Sequence, residues 1–197
     1  GIIKTPGSMG FDIVVAEGQS MGSPLSFGGP TVGWFATKKE LARLVPGRII
    51  GESRDAEHTK TYVMTLRARE QDIRREKASS NICTNQTLNA VGSTIHLSWL
   101  GPQGLYEIGY QAIQKASYMK QQLIEKDFKI SNPNNSLREF IVQTSRPAEE
   151  VILDMGTEGF LAGIKYSDNE ILVAVTEKRT KLEIDKYIKA FQEVDNA

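Results

Sequence analysis

An α/β fold is what this sequence predicts, and three observations predict it. After Ser136, runs of Val, Ile and Phe alternate with helical patterns in the order β-α-β-β-α. Between 85 and 126, apolar residues recur at helical spacing. Before that, short β-branched and aromatic runs are separated by Gly- and Pro-rich connections, as strands are.

The elements follow in order. Residues 1–9 (GIIKTPGSM) hold a single lysine and no apolar stretch, so they do not read as a secretory leader. Their Gly-Ser-Met join reads as a tag remnant, and fold reasoning starts at residue 10. Residues 12–16 (DIVVA) and 34–37 (WFAT) are strands, joined by the Gly/Ser/Pro-rich stretch 18–33. One or two helical turns over 38–44 close at Pro46-Gly47. Residues 52–60 read as a polar loop, and 62–67 (YVMTLR) as the next strand.

From Asn85 a helix begins, with Leu88, Val91, Ile95 and Trp99 on one apolar face. Gly101-Pro102 stops it. A second helix spans 103–126, with Leu105, Ile108, Ala112, Ala116, Met119 and Leu123 inside. SNPNNS, 131–136, is turn chemistry. Residues 139–144 (EFIVQT) form a strand. Pro147 opens a short helix over 148–155, and Gly156 falls just past its end. Residues 160–164 and 171–175 are strands about the turn Ser167-Asp168-Asn169. Residues 176–194 close the chain as an amphipathic helix burying Leu182, Ile184, Tyr187, Ile188 and Phe191. The sheet so made is antiparallel, with helices on one face.

Composition narrows the function classes. Of 197 residues, 40% are hydrophobic and 24% charged, with 24 basic against 24 acidic. No global field steers such a chain toward nucleic acid or anionic lipid. No apolar run approaches the roughly 20 residues of a membrane helix. The lone Cys83 excludes an internal disulfide and suits a reducing cytoplasm.

Two stretches invite functional readings. FGGPTVG, 27–33, has glycines that let backbone approach a phosphate, but it is neither a P-loop nor a dinucleotide fingerprint, and a tight turn suits it better. The stretch 67–86 carries Arg67, Arg69, Arg74, Arg75 and Lys77, a candidate anion- or nucleic-acid-binding face. Glu70, Asp72 and Glu76 offset much of that charge. Its tail, SSNICTNQ, offers short hydrogen-bonding side chains before an apolar helix, as a cap or a ligand contact does. Two histidines and one cysteine at these spacings make no metal site.

Specific strings carry a resemblance. EGQSMGSPLSFGGPTVGWFAT (17–37), VPGRIIGESRDA (45–56), TLRAREQDIRREKASSNICTNQ (65–86), LGPQGL (100–105) and VAVTEKRTKLEID (173–185) occur in that order. Together they resemble glycine dehydrogenase (decarboxylating) subunit one, of the split, two-gene form of the P-protein family. Asp72 stands where that family has histidine, and Ser79 where it has threonine.

The resemblance implies the C-terminal part of a pyridoxal-phosphate-dependent transferase of fold type I, aspartate-aminotransferase-like. The end of its large domain would be 10–126, and its small β-α-β-β-α domain 127–197. In that family, glycine is decarboxylated and its aminomethyl group passes to the lipoyl arm of H-protein. A lysine must hold the cofactor as a Schiff base. An ungapped match puts Gln19 near the place of that lysine, and no lysine stands between Lys4 and Lys38. The resemblance therefore implies no catalytic residue here, and pyridoxal phosphate bound in the partner, subunit two, of a cytoplasmic heterotetramer. It points to Ser80, Asn81 and Thr84, with Arg75 and Lys77 adding charge, as lining the partner's cofactor site. An independent pyridoxal-phosphate enzyme, or a nucleic-acid- or anion-binding module through 67–77, is the alternative.

Overall fold

The chain condenses into two units, residues 3–99 and residues 1–2 with 100–197. The computed structural model describes residues 1–66, 72–80 and 84–197. One helical segment, α1 (Thr87–Glu125), contributes to both. It is interrupted at Gly101, whose φ of 63° and ψ of 178° are not helical, one residue before Pro102. The Gly-Pro stop is thus where the sequence puts it, and the contacts divide the chain beside it.

The N-terminal unit contains two antiparallel hairpins. β1 (Ile13–Glu17) pairs with β2 (Gly33–Thr37). A 3-10 helix, Lys39–Leu44, follows. β3 (Ile49–Arg54) then pairs with β4 (Lys60–Thr65). β3 corrects the expected loop over 52–60. Gly51, Glu52, Ser53 and Arg54 look like loop by composition, yet each has a partner on β4. The turn that makes this possible is Asp55, whose carboxylate accepts from the backbone N–H of Glu57 and Thr59 at 3.0 and 2.9 Å. The helical face of Leu88, Val91, Ile95 and Trp99 is exposed in this chain.

In the C-terminal unit, β5 (Glu139–Gln143), β7 (Glu170–Ala174) and β6 (Ile164–Ser167) form an antiparallel sheet in that spatial order. α2 (Ala148–Thr157) and α3 (Lys181–Asp195) complete the expected β-α-β-β-α order. Period-2 alternation sets the buried face. Phe140 stands opposite Val173, and Val142 opposite Ile171, all buried. Val151 and Met155 of α2, Ile184, Ile188 and Phe191 of α3, and Ala116, Met119 and Leu123 of α1 complete that core. Phe191 meets Phe128 edge-on, with ring centroids 5.1 Å apart. β6 lies at one end of the sheet. At the other end, Ile130 bridges to Val142 on the outer side of β5.

Two boundaries moved for identifiable reasons. The run 160–164 is not a strand, because Gly159 and Gly163 hold φ of 84° and 146° and the carbonyl oxygen of Leu172 fills the space a Gly163 Cβ would need. Pairing starts only at Ile164. The last helix starts at Lys181 rather than 176, because Thr180 makes a capping box with Glu183. The Thr180 hydroxyl accepts from the Glu183 N–H at 3.2 Å, and the Thr180 N–H donates to the Glu183 carboxylate at 2.7 Å.

Candidate functional site

The N-terminal unit builds its most elaborate feature on the β1–β2 hairpin, which ends at the pair Glu17–Gly33 and is closed by residues 18–32. One carboxylate oxygen of Glu17, Oε1, accepts the backbone N–H of both Gln19 and Val32, each at 2.9 Å. The Gly18 N–H donates to the Val32 carbonyl at 2.7 Å. From α1, the Asn89 amide donates to the Thr31 carbonyl at 2.8 Å. Val32 is buried. Gly22, at φ 104°, leaves room for His96, whose Cβ would lie 2.6 Å from an added Cβ. The base of the loop is therefore held from both ends, by groups far apart in sequence.

Its tip is different. The Leu25 carbonyl accepts from the N–H of Gly28 and Gly29 at 2.9 and 3.1 Å. Between them, Ser26 and Phe27 have φ of 38° and 57°. Two successive positive φ angles are those of a type I′ turn, which Gly, Asn and Asp ordinarily fill. Holding a non-glycine residue there costs roughly 1 kcal/mol or more apiece. The Phe27 side chain is wholly exposed, and Leu25 is 78% exposed.

The residues expected to line a cofactor site lie further along. Arg75 and Lys77 belong to a 3-10 turn, Arg75–Lys77, and both side chains are exposed. Just beyond it, the Ser79 N–H and hydroxyl donate to Asp72 Oδ2 at 3.0 and 3.5 Å. Ser80 is half-buried, and Thr84 is exposed ahead of α1. Asn81 and Cys83 lie outside the described residues, as do Arg67 and Arg69.

Whether this chain alone could hold pyridoxal phosphate is a question of donors. Gln19, near the place where the resemblance expects a lysine, is half-buried, and its side-chain nitrogen meets no acceptor among the described residues. An amide forms no Schiff base. Lys38, the first lysine after the loop, sits 2.5 Å from Asp12, whose carboxylate raises the ammonium pKa above its ordinary 10.5. A Schiff-base amine needs the opposite shift. The described residues therefore do not fit the cofactor by themselves.

In the C-terminal unit, a cleft of about 640 Å³ is lined by Phe160, Leu161, Ile164, Val175 and Tyr187, with Glu139, Arg179 and Glu183 as its charged members. No lysine lines it among the described residues. The Tyr187 hydroxyl donates to the Ala162 carbonyl at 2.6 Å, and burial pushes its phenol well above the ordinary 10, so it remains a donor. This fixes the loop between Gly159 and Gly163. Among the described residues, no group of His, Cys, Asp and Glu could hold a metal ion, and no helix is long and apolar enough to cross a membrane.

Comparison with known proteins decides the family. The sequence profile of the glycine cleavage system P-protein matches residues 1–191. The chain belongs to that family. The match takes in residues 1–9, against their reading as a tag remnant. Proteins named probable glycine dehydrogenase (decarboxylating) subunit 1, from Staphylococcus aureus strains JH9 and USA300, are each 46% identical over 202 residues. Those alignments cover 100% of this chain and 45% of each relative. A crystal structure of glycine decarboxylase (P-protein) of the glycine cleavage system, in inhibitor-bound form, superposes with a TM-score of 0.89 at 36% identity. It is matched over 98% of this chain and 45% of its own. The chain thus spans a little under half the length of the relatives it matches. At that identity the likeness carries the fold, so the α/β, fold-type-I architecture expected from the resemblance is the architecture of this chain.

Glu17 and Asn89 escape sequence reasoning. The groups they hold across the loop, at Val32 and Thr31, lie 15 and 58 residues away, and a lone carboxylate at a strand end or an asparagine in a helix has no local signature.

Proposed function

We propose that this chain is part of the subunit of the glycine cleavage P-protein that does not anchor the cofactor. The assembled enzyme decarboxylates glycine and passes the aminomethyl group to the lipoyl arm of H-protein. What carries the reading is 46% identity, sustained along the whole chain, to proteins named subunit 1. In this reading the lysine and pyridoxal phosphate belong to subunit two, and the two subunits form a cytoplasmic heterotetramer. When bound there, the cofactor supplies the electron sink that decarboxylation requires. Support comes from Gln19 near the expected place of the lysine and from Lys38, whose ammonium Asp12 holds. Residues 10–126 end the large domain and 127–197 form the small one.

This chain's contribution is to complete the partner's site. Ser80 and Thr84 offer hydroxyls, Arg75 and Lys77 offer charge, and Asn81 stands between them in sequence. The relatives named above do not favour the alternatives, an independent pyridoxal-phosphate enzyme or a nucleic-acid- or anion-binding module through 67–77.

The test is exchange of labelled CO2 into the carboxyl group of glycine. Full-length subunit one, subunit two and H-protein together should support it, and the 197-residue chain with H-protein alone should not. Appreciable exchange by the chain without subunit two overturns the reading. For the lining residues, Thr84→Ala and Asn81→Ala in the tetramer should weaken cofactor binding and slow turnover. Normal assembly with both quantities unchanged would remove them from the site.

A further inference from the structure

We propose that Asn135 is a site of spontaneous deamidation, placed for that chemistry by Lys120, at which the polypeptide exchanges an amide for a carboxylate as it ages. The inference is independent of the functional reading, since it rests on the turn SNPNNS, 131–136, and the helix beside it.

Asparagine is a labile residue, and the chemistry sets what a reactive one needs. The backbone nitrogen of the next residue attacks the side-chain amide carbon and forms a C–N bond. The bond to the amide nitrogen breaks, and ammonia leaves with the proton that the backbone nitrogen gives up. Water then opens the cyclic imide at either carbonyl, to aspartate or isoaspartate. The side chain must therefore be free to fold back, and the next N–H must be free of other bonds. Most asparagines fail one condition. Asn132 is followed by Pro133, which has no N–H, and its side chain accepts from the Ile141 N–H at 2.8 Å. After Asn89, the Ala90 N–H donates to the Gln86 carbonyl at 2.9 Å. The Thr87 hydroxyl engages the side chain of Asn85. Asn169 donates to the Arg146 carbonyl at 3.0 Å, and after Asn196 the Ala197 N–H donates to the Val194 carbonyl at 3.3 Å. Among the described residues, Asn134 and Asn135 alone are exposed with no hydrogen bond to the side chain or to the N–H that follows.

Lys120 separates those two. From α1, its Nζ donates to the Ser136 hydroxyl at 2.8 Å and to the Pro133 carbonyl at 3.3 Å, so an ammonium is held against both ends of the Asn134–Asn135 pair. Attack on Asn135 comes from the nitrogen of Ser136, the residue whose side chain that ammonium grips. The attack builds negative charge on the nitrogen and on the amide oxygen, and a fixed cation stabilises both. The carboxylate product gains the same cation as a neighbour. Attack on Asn134 comes instead from the nitrogen of Asn135, whose side chain Lys120 does not hold.

The experiment holds full-length subunit one for weeks in neutral buffer, then maps its peptides by mass spectrometry, with fragmentation to place each aspartate and isoaspartate formed. Conversion at Asn135 should outpace conversion at Asn134 and at the asparagines that are already engaged. Lys120→Met should slow conversion at Asn135 severalfold, and Lys120→Arg, which keeps the cation, should restore most of it. Absence of conversion at Asn135 overturns the proposal, and so does conversion at Asn134 that equals or exceeds it. A rate in Lys120→Met at or above that of the parent protein overturns it as well, since a loop merely loosened by the loss of Lys120 would react faster.

Discussion

Among the described residues Asp195 is the one charged residue that is buried, 3% exposed at the end of α3. Its carboxylate accepts from the Ser145 N–H at 2.9 and 3.0 Å and from the Arg146 N–H at 3.3 Å, where the chain leaves β5. Those N–H groups point away from the sheet ladder and have no strand to pair with. Asp195→Ala would leave them unpaired in a buried place, so the chain should lose about 2 kcal/mol of stability. Urea unfolding of the isolated chain measures this directly. Arg146 reinforces the same corner, with Asp154 at 2.9 Å and the Val194 carbonyl at 2.8 Å. Because Arg146 is only partly buried, its ion pairs add less than the carboxylate does.

At the scale of elements, α3 shows how a short sequence signal sets a boundary. The Thr-Lys-Leu-Glu string, 180–183, is a capping box on paper as well as in space. Thr180→Ala removes the acceptor for the Glu183 N–H and should cost about 1 kcal/mol, read as a lower melting temperature of the chain. Elements with strong periodicity were legible in this way: both strands of the first hairpin, both parts of α1, and the β-α-β-β-α order after Ser136. β3 was not, because Gly, Glu, Ser and Arg form a strand only once β4 offers partners, and pairing across a turn is invisible locally. The run 160–164 misled in the other direction, since its apolar character serves the core through Phe160 and Ala162 while two left-handed glycines bar it from the ladder. The candidate site was legible as a family pattern and illegible as geometry. Glu17 and Asn89 act on groups brought near by folding, and no spacing in the sequence announces them.

At the scale of the whole molecule, three acidic groups of the C-terminal unit have shifted ionisation, and their sign is uniform. Glu170 is held below its ordinary 4.5 by hydrogen bonds from Ser131, Ser167 and Gln143. Glu183 is lowered by the Thr180 backbone and hydroxyl, and Asp185 by Lys181 and Tyr118. A carboxylate depressed on folding stabilises the fold above its unfolded value, and that contribution is lost as pH falls through the folded value. The urea midpoint of the chain should therefore hold steady at about pH 6 and fall steadily below about pH 4.5. Glu170→Gln should flatten the fall, and an unchanged slope in that variant would assign the acid sensitivity elsewhere. The opposite sign holds for Lys181, which Asp185 and then Tyr118 raise to about 12, so its contribution persists until strongly alkaline pH.

β6 ends its sheet with Ile164 and Tyr166 mostly bare, and only one neighbour, β7, takes its ladder bonds. Such a margin is a template on which a foreign strand can grow, the first step toward cross-β association. Lys165 lies in the middle of it, tied to Glu149 at 3.0 Å and Asp168 at 3.4 Å. An incoming apolar strand would have to bury that ammonium and break both ties, so Lys165 guards the margin by making its occupation unfavourable. β5, whose outer side Ile130 already covers, has less need of such a guard. Lys165→Val should leave the fold intact and convert a monodisperse preparation into one that forms thioflavin-binding aggregates on gentle warming. The same residue would then explain how a short, bare strand persists at the surface without recruiting copies of itself.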